Sequence, residues 1–330
     1  MLHINNFRGF AILLIILTHT IEMFAQKSPE MREFDYIIGN GTYYFIFISG
    51  FIFFRSTENF QFTNYMAGKM KYVLLPYTLF SVPALLLWYA GINDYMLIAS
   101  APWFETLPLI GQAAALYLTG TQLGPYWFIP TIMIIYAVSP AALALKDRSV
   151  LTVLVCFLLF FVFAVLIARG NPVRSAIYFI PAFLLGFAVS KMEKAPSFTI
   201  SRRAIWATIA ATAALAAATP FAISFEGTTA ALFNQIYCAV TTLALYVVFK
   251  KKMSQHNVTL DLFARLSFYI YFAHGFFLLG FRKLCENVET VGYQLVTIIA
   301  TFAATLVLCI LSYALLKWSL GKKSRPLIGA

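Results

Sequence analysis

Long apolar runs separated by short polar segments dominate this chain. Charge-free stretches recur along its length, at Tyr36–Phe54, Tyr72–Asn93, Thr106–Leu145, Ser149–Ala168, Ala204–Phe225, Gly227–Phe249 and Thr290–Leu316. Most of them are long enough to cross the hydrocarbon core of a bilayer, about 30 Å, as an α-helix. The pattern therefore predicts an all-α polytopic membrane protein.

The ends of these runs predict a single bundle of about ten transmembrane helices within one membrane domain, residues 1–330. The predicted helices cover residues 7–25, 37–54, 73–91, 125–145, 149–168, 175–190, 204–221, 231–249, 264–282 and 291–317. Residues 95–120 are interrupted by Pro108, Gly111 and Gly120. We expect this segment to be an interfacial or re-entrant piece on the outer side, with a further span as the alternative.

Composition and charge narrow the class of protein. The chain is 61% hydrophobic and 11% charged, which is more apolar than a soluble protein of 330 residues can bury. Its net charge of +11 lies in short basic runs between apolar segments, such as Lys250–Lys252. With residues 95–120 outside and both termini cytoplasmic, 18 of the 24 Lys and Arg residues fall on the inner side. The charge thus indicates orientation in a lipid bilayer and not a nucleic-acid partner.

Several kinds of site have no sequence signature here. There is no GxSxG elbow, HExxH, Walker loop or GxGxxG, which argues against a soluble-type hydrolase, protease or ATPase. The cysteines lack CxxC spacing, and we expect no disulfide framework and no metal site. They are Cys156, Cys238, Cys285 and Cys309.

The first predicted helix carries three ionisable side chains, although such groups are costly inside a bilayer. Arg8 lies near its start, and His19 follows about 16 Å further along the axis, at about 1.5 Å per residue. Glu22 shares a helix face with His19 and can fix its tautomer and raise its basicity. We therefore predict a charge at one membrane face and a general base inside. A histidine that only hydrogen-bonds a neighbouring helix is the alternative.

Three more basic residues fall on the same predicted side as Arg8, namely Arg55, Lys69 and Lys71. Together the four would form a basic mouth able to hold the phosphates of a nucleotide-bearing donor. Alternatively, they only supply the inside-positive signal or meet anionic lipid.

Other candidates lie further along the chain. His274 is predicted at a depth close to that of the first-helix histidine, and Ser267 and Tyr271 precede it at helical spacing. The two histidines could face one cavity, unless His274 serves only helix packing. Trp127 could stack on a sugar ring or anchor its helix at the interface. Ser49 belongs to a Ser-Gly pair that permits close helix approach.

Five segments, in order along the chain, resemble motifs of the acyltransferase-3 family. Arg8 and His19, within Phe7-Arg-Gly-Phe-Ala-Ile…His19, are similar to the Arg-x10-His signature of its first helix. The other four are Tyr44–Phe51 (FF-x-x-SGF/Y), Lys69-x-Lys71 before Pro76 (Arg-x-Arg), Tyr126–Tyr136 (WFL-x-x-L-x-x-Y) and Ser267–His274 (SYGIYLLH).

This family comprises bacterial membrane O-acyltransferases that modify cell-surface glycans. The resemblance implies acetyl-CoA as a cytoplasmic donor and a hydroxyl of a cell-surface polysaccharide or lipid-linked sugar as acceptor. It also implies the bacterial inner (cytoplasmic) membrane and the short stand-alone form. Arg8 and His19 would be the catalytic pair, and Lys69 and Lys71 would meet the CoA phosphates. Lysine lacks the bidentate fork of the arginines it replaces.

We therefore expect an O-acetyltransferase. His19, supported by Glu22, would take the proton of the acceptor hydroxyl or carry the acetyl group itself. His274 and Tyr271 are candidates for stabilising the thioester oxygen. The rival hypothesis is a proton-coupled transporter or glycan flippase that uses His19 and Glu22 as a relay. The one-sided basic mouth favours the enzyme, since a proton relay does not need it.

Overall fold

The computed structural model describes residues 1–24, 26–92, 101–167, 169–285 and 291–329, apart from the side chains of 283, 284 and 291. These residues form helices and connecting turns, with no strand among them. The α-helices are α1 (Leu2–Ile21), α2 (Pro29–Ile38), α3 (Gly41–Arg55), α4 (Phe62–Lys69), α5 (Leu75–Tyr89), α6 (Pro102–Glu105), α7 (Leu109–Thr119), α8 (Phe128–Val138), α9 (Val150–Leu166), α10 (Pro172–Lys194), α11 (Arg202–Ala217), α12 (Thr219–Ala222), α13 (Gly227–Lys252), α14 (Val258–Cys285), α15 (Val291–Leu320) and α16 (Ser324–Ile328). A π-helical turn covers Met70–Leu74, and 3₁₀ turns cover Gly124–Trp127, Ser139–Leu145 and Gly321–Lys323.

Eight helical segments in the described residues are long and apolar enough to cross a membrane. They are Leu2–Ile21, Pro29–Arg55, Phe62–Tyr89, Gly124–Leu145, Pro172–Lys194, Gly227–Lys252, Val258–Arg282 and Gly292–Ile328. The chain is an all-α polytopic membrane protein, which confirms the predicted fold class. Two further apolar helices, α7 and α9, are shorter. In the segment predicted as interfacial, residues 95–100 lie outside the described residues, and α6 and α7 follow them.

Two predicted helix boundaries are wrong because polar residues extend the helices. Helix α1 begins at Leu2 instead of residue 7, and α14 begins at Val258 instead of 264. The Nδ2 of Asn5 donates to Oδ1 of Asp261 over 2.7 Å, so each side chain satisfies the other. Asn6 donates through Nδ2 to the carbonyl oxygen of Met253 over 2.8 Å. The apolar sequence pattern ends at these polar residues, whereas the helices continue through them. The pattern alone therefore places both helix starts too late.

The third predicted helix, residues 73–91, corresponds to α5 and is preceded by two further helical segments. Helix α4 leads into the π-helical turn Met70–Leu74, and α5 follows. Pro76 has no N–H and its ring crowds the carbonyl of Tyr72, four residues earlier, so the regular α pattern cannot continue there. The Leu75 N–H donates to the Met70 carbonyl, five residues back, which is the π pattern. The basic residues Lys69 and Lys71 therefore lie at a widened turn and not in a regular helix.

The chain divides into two compact units, which we describe separately. The first consists of Met1–Ile15, Pro29–Phe62 and Ala137–Ala264. Within it, α3 and α10 make a close backbone contact. A Cβ built on Gly50 would lie 1.9 Å from the Phe183 carbonyl oxygen, and one on Gly186 would lie 1.9 Å from that of Phe47. Small residues at both positions let the two helices approach closely, as is common between membrane helices.

The second unit consists of Ile16–Ser28, Thr63–Tyr136 and Arg265–Ala330. Its core joins the 3₁₀ turn Gly124–Trp127 to α14 through two tyrosines. The buried Tyr126 hydroxyl donates to the Phe272 carbonyl over 2.8 Å, and the Tyr271 hydroxyl donates to the Pro125 carbonyl. These bonds fix the middle of α14, where His274 lies, against the turn that contains Pro125.

Gly50→Ala is expected to destabilise the protein, because an added methyl group would force α3 and α10 apart. The expected cost is about 1–3 kcal/mol, as for other overpacked contacts, and is seen as a lower melting temperature of the purified protein in detergent. Gly68→Ala is the matched control, since a Cβ at Gly68 would meet no atom within 4 Å. Equal melting temperatures for the two variants would contradict the close backbone contact.

Candidate functional site

The second unit contains a histidine paired with a carboxylate at the end of α1. His19 lies in the last turn of the helix, and Glu22 follows directly after it, its N–H donating to the Thr18 carbonyl over 3.0 Å. Nδ1 of His19 and Oε2 of Glu22 are 2.5 Å apart. A carboxylate only accepts, so this contact assigns the hydrogen to Nδ1 and leaves the lone pair of a neutral ring on Nε2. This is the orientation that a general base requires.

His274 lies beside this pair. Its ring centroid is 5.4 Å from that of His19, with 34° between the ring planes. The side chain is 0% exposed, and Nδ1 lies 2.9 Å from the Ile270 carbonyl oxygen, which can only accept. The lone pair is therefore on Nε2, an atom that is buried and has no hydrogen-bond partner among the described residues. The structure thus brings together the two histidines for which the sequence indicates a similar depth.

A cavity of about 80 Å³ opens next to His19 and Glu22. Its other lining residues are Met23, Leu123, Gly124, Pro125, Gly275, Leu278, Leu279 and Arg282. Arg282 is not among the candidates that the sequence analysis identified. The signal was available in the helix period, because residues 275, 278, 279 and 282 recur at the spacing of one helix face.

His274 does not line this cavity, and four further sequence candidates are also absent from its lining. The Tyr271 hydroxyl is engaged with the Pro125 carbonyl, and Ser267 is buried on α14. Trp127 is half-buried, and its ring centroid lies 6.2 Å from that of Phe128. In the first unit, the Ser49 hydroxyl donates to the Phe45 carbonyl within α3 over 2.9 Å. Tyr271 contributes by holding Pro125, which does line the cavity.

The two lysines predicted to meet phosphates have different surroundings. The Lys69 ammonium lies 4.0 Å from the ring centroid of Tyr136 and 5.0 Å from that of Tyr65, so two aromatic faces hold it. Lys71 is exposed, and its ammonium lies 5.4 Å from the ring centroid of Tyr72. Cation–π contacts of this kind hold a cation without neutralising it.

The other two basic candidates belong to the first unit. Arg8 donates through Nη2 to Oδ1 of Asn5 over 3.2 Å. Arg55 donates through Nε to the Ser190 hydroxyl over 3.1 Å, and its Nη2 lies 3.4 Å from Oε1 of Glu193. Arg55 is therefore already paired with a carboxylate that is 9% exposed.

Glu193 is the centre of a charge cluster at the end of α10. Its oxygens lie 2.9 Å from the Lys250 ammonium, 2.6 Å from the Tyr246 hydroxyl and 3.3 Å from Nε2 of His3. Removing this carboxylate would leave cations close together without a counter-charge. We therefore expect the cluster to stabilise the first unit. It also accounts for the position of the Arg55 side chain without any bound ligand.

No group of three or more metal-ligating side chains occurs in the residues that the structure describes. The local chemistry of the second unit is instead a carboxylate-oriented imidazole and a guanidinium at a small cavity, with a second, buried imidazole beside the first. Such a set can move a proton and stabilise an anion, which is the work of group transfer to a hydroxyl.

Comparison with known proteins agrees with this chemistry. The chain belongs to the acyltransferase-3 family, whose profile, described as an acyltransferase domain, matches residues 1–316. It is therefore a membrane acyltransferase, and the family resemblance drawn from the motifs is confirmed. Searches of curated proteins and of solved structures found no significant match.

Glu193→Gln is expected to destabilise the protein by about 3 kcal/mol, the lower end of the range for breaking a buried ion pair, because Arg55 and Lys250 would lose their counter-charge. A melting temperature several degrees lower in detergent would show this. Glu58→Gln is the matched control: Glu58 is fully exposed, and a hydrogen bond from Lys194 lowers its pKa. If both substitutions left the melting temperature unchanged, the cluster would not be a stabilising element.

Proposed function

We propose that the protein is a membrane O-acetyltransferase of the bacterial inner membrane. It moves an acetyl group from cytoplasmic acetyl-CoA to a hydroxyl of a cell-surface polysaccharide or lipid-linked sugar. The observation that carries this proposal is the 2.5 Å contact of His19 with Glu22 at a cavity in the second unit. The family supports acyl transfer, and the orientation of the imidazole supports a hydroxyl acceptor.

The hypothesised reaction begins at Nε2 of His19. This atom takes the proton of the acceptor hydroxyl while the hydroxyl oxygen attacks the carbonyl carbon of the thioester. A C–O bond forms and the C–S bond breaks, and the leaving CoA thiolate takes the proton from the imidazolium. Glu22 holds the ring in this tautomer throughout and favours its protonated form.

A two-step route uses the same atoms. Nε2 of His19 attacks the thioester carbon first, the C–S bond breaks and CoA leaves as thiolate. The acceptor hydroxyl then attacks the acetyl carbon, the N–C bond breaks, and the freed Nε2 takes the hydroxyl proton and passes it to the thiolate. Both routes place negative charge on the carbonyl oxygen. His274 and Tyr271 are poorly suited to stabilise it, since each donates its hydrogen to a backbone carbonyl. Arg282, the cationic residue of the cavity lining, is the better candidate.

His274 then has a positioning role beside His19. Its buried Nε2 lone pair faces no described hydrogen-bond donor, and the two ring centroids are 5.4 Å apart. When His19 becomes an imidazolium, this lone pair lowers the free energy of the charged ring from one side while Glu22 does so from the other.

Donor phosphates are assigned to the basic residues on the predicted cytoplasmic side, Arg8, Arg55, Lys69 and Lys71. In this proposal the four residues do not contribute equally to phosphate binding. Arg55 is paired with Glu193, and a phosphate would have to compete with that carboxylate. Lys71 is exposed and carries its full charge toward a ligand.

His19→Ala is expected to abolish turnover of acetyl-CoA labelled on its acetyl group, because the base is lost. We would measure free CoA release and label on added lipid-linked glycan with purified protein in nanodiscs. His256→Ala is the matched control, since His256 is more than half exposed and pairs with Asp261 outside the cavity lining. Label retained on the wild-type protein would favour the two-step route.

Two other outcomes of this experiment would contradict the proposal. Full turnover by His19→Ala would remove His19 from the chemistry. A wild-type protein that neither binds nor turns over any acyl-CoA would instead favour the proton-coupled transporter, in which His19 and Glu22 form a relay.

Glu22→Gln is expected to lower kcat about 100-fold, the lower end for general-base catalysis, because a neutral amide supports the imidazolium poorly. KM for acetyl-CoA should change little, since Glu22 is not assigned to the donor. Glu58→Gln serves as the control for loss of one carboxylate. Unchanged kcat in Glu22→Gln would show that the contact with His19 is not used in catalysis.

A further inference from the structure

The C-terminal helix α16 is held against the π-helical turn that contains Lys71. It packs on that turn and on α5, and Ser324 and Ile328 are buried. Gly329 ends the helix with φ 80°, its N–H donating to the Arg325 carbonyl over 3.1 Å. A Cβ there would lie 3.1 Å from Cβ of Phe268, so the chain end is closely seated on α14. Arg325 is thus part of a fixed element.

Arg325 and Lys71 meet at one aromatic ring. The guanidinium carbon of Arg325 lies 4.9 Å from the ring centroid of Tyr72, and the Lys71 ammonium lies 5.4 Å from the same centroid. Both cations are exposed, while the ring is half-buried. Lys71 and Tyr72 are neighbours within the π-helical turn, so its backbone positions both of them.

The described residues contribute no carboxylate that pairs with either cation. Both cations lie within 5.4 Å of the same ring centroid, so a phosphate bound at that ring would be attracted by both. Lys69 is a weaker second cation for such an anion, because Tyr65 and Tyr136 already hold its ammonium. An arginine also offers phosphate a bidentate fork that lysine lacks.

The geometry points to Lys71, Tyr72 and Arg325 as a phosphate-binding site, with the acyl donor as the expected source of the phosphate. This inference rests on the proposed function for its ligand. Lys71 and Arg325 fall on the same, inner side in the charge-based topology. Arg325 also lies beyond residues 1–316, which the family profile matches, so the site adds a C-terminal residue of this chain to the basic motif.

The test compares Arg325→Gln with Lys322→Gln in purified protein. Lys322 is an exposed cation of the adjoining 3₁₀ turn and has no contact with Tyr72. In nanodiscs of phosphatidylcholine alone, Arg325→Gln should weaken CoA binding about tenfold, the loss of one charge-assisted contact. Lys322→Gln should bind CoA like the wild type. Lys71→Gln, which alters a different element, should weaken binding similarly even if Arg325→Gln disturbs α16.

A comparison of two substrates, one with phosphates and one without, distinguishes a loss of phosphate binding from a general loss of activity. Arg325→Gln should raise KM for acetyl-CoA with little change in kcat, and it should leave turnover of S-acetylpantetheine, which has no phosphate, unchanged. Equal loss with both substrates would overturn the inference. So would equal CoA binding by Arg325→Gln and Lys322→Gln, provided their response to anionic lipid is also equal.

A lipid headgroup offers the same phosphate chemistry. If Arg325→Gln binds CoA normally but loses a rise in melting temperature that phosphatidylglycerol gives the wild type and Lys322→Gln, the site is upheld with a headgroup as its ligand. The proposed function fails separately, when the wild type turns over no acyl-CoA. CoA binding and the lipid response then still decide whether the site binds phosphate.

Discussion

An ionisable side chain in a membrane helix must find a partner, because hydrocarbon offers it no water. This constraint accounts for much of what the chain builds. Glu193 gathers two cations, a histidine and a tyrosine hydroxyl at one helix end. His19 is oriented by Glu22, and Lys69 is held by two aromatic rings. Each of these three groups therefore has a local partner. The kind of partner distinguishes the charges that stabilise the fold from those that are available for chemistry.

The fold class could be predicted because lipid allows few ways to satisfy a backbone, and long apolar runs satisfy it as helices. The site was partly predictable for a similar reason, since an intramembrane histidine is rare enough to be noticed. The 5.4 Å between the ring centroids of His19 and His274 agrees with the similar depth that helix geometry predicts for the two residues. Arg282 was missed because the charged residues were used only to predict orientation in the membrane. The helix face that Arg282 shares with Gly275 was not considered.

Other features depend on contacts between distant residues and could not be predicted. Helix α1 continues through Asn5 because Asp261 satisfies it, and nothing near either residue indicates that pairing. Arg55 has the sequence context of a phosphate ligand, yet Glu193 pairs with it. The π-helical turn could be predicted only in part. Pro76 indicates that the regular α-helix is interrupted, but only the tertiary structure determines that the interruption is a π-helical turn.

The distribution of unneutralised charge decides where an anionic donor can be recruited. A phosphate gains little from a cation that already pairs with a carboxylate, as Arg55 does, because a favourable contact must be broken first. It gains more where exposed cations have no carboxylate partner among the described residues. Lys71 and Arg325 meet that condition at Tyr72. In the proposed phosphate site, Arg325 from α16 therefore supplements the basic motif in three dimensions, in addition to the sequence neighbour Lys69.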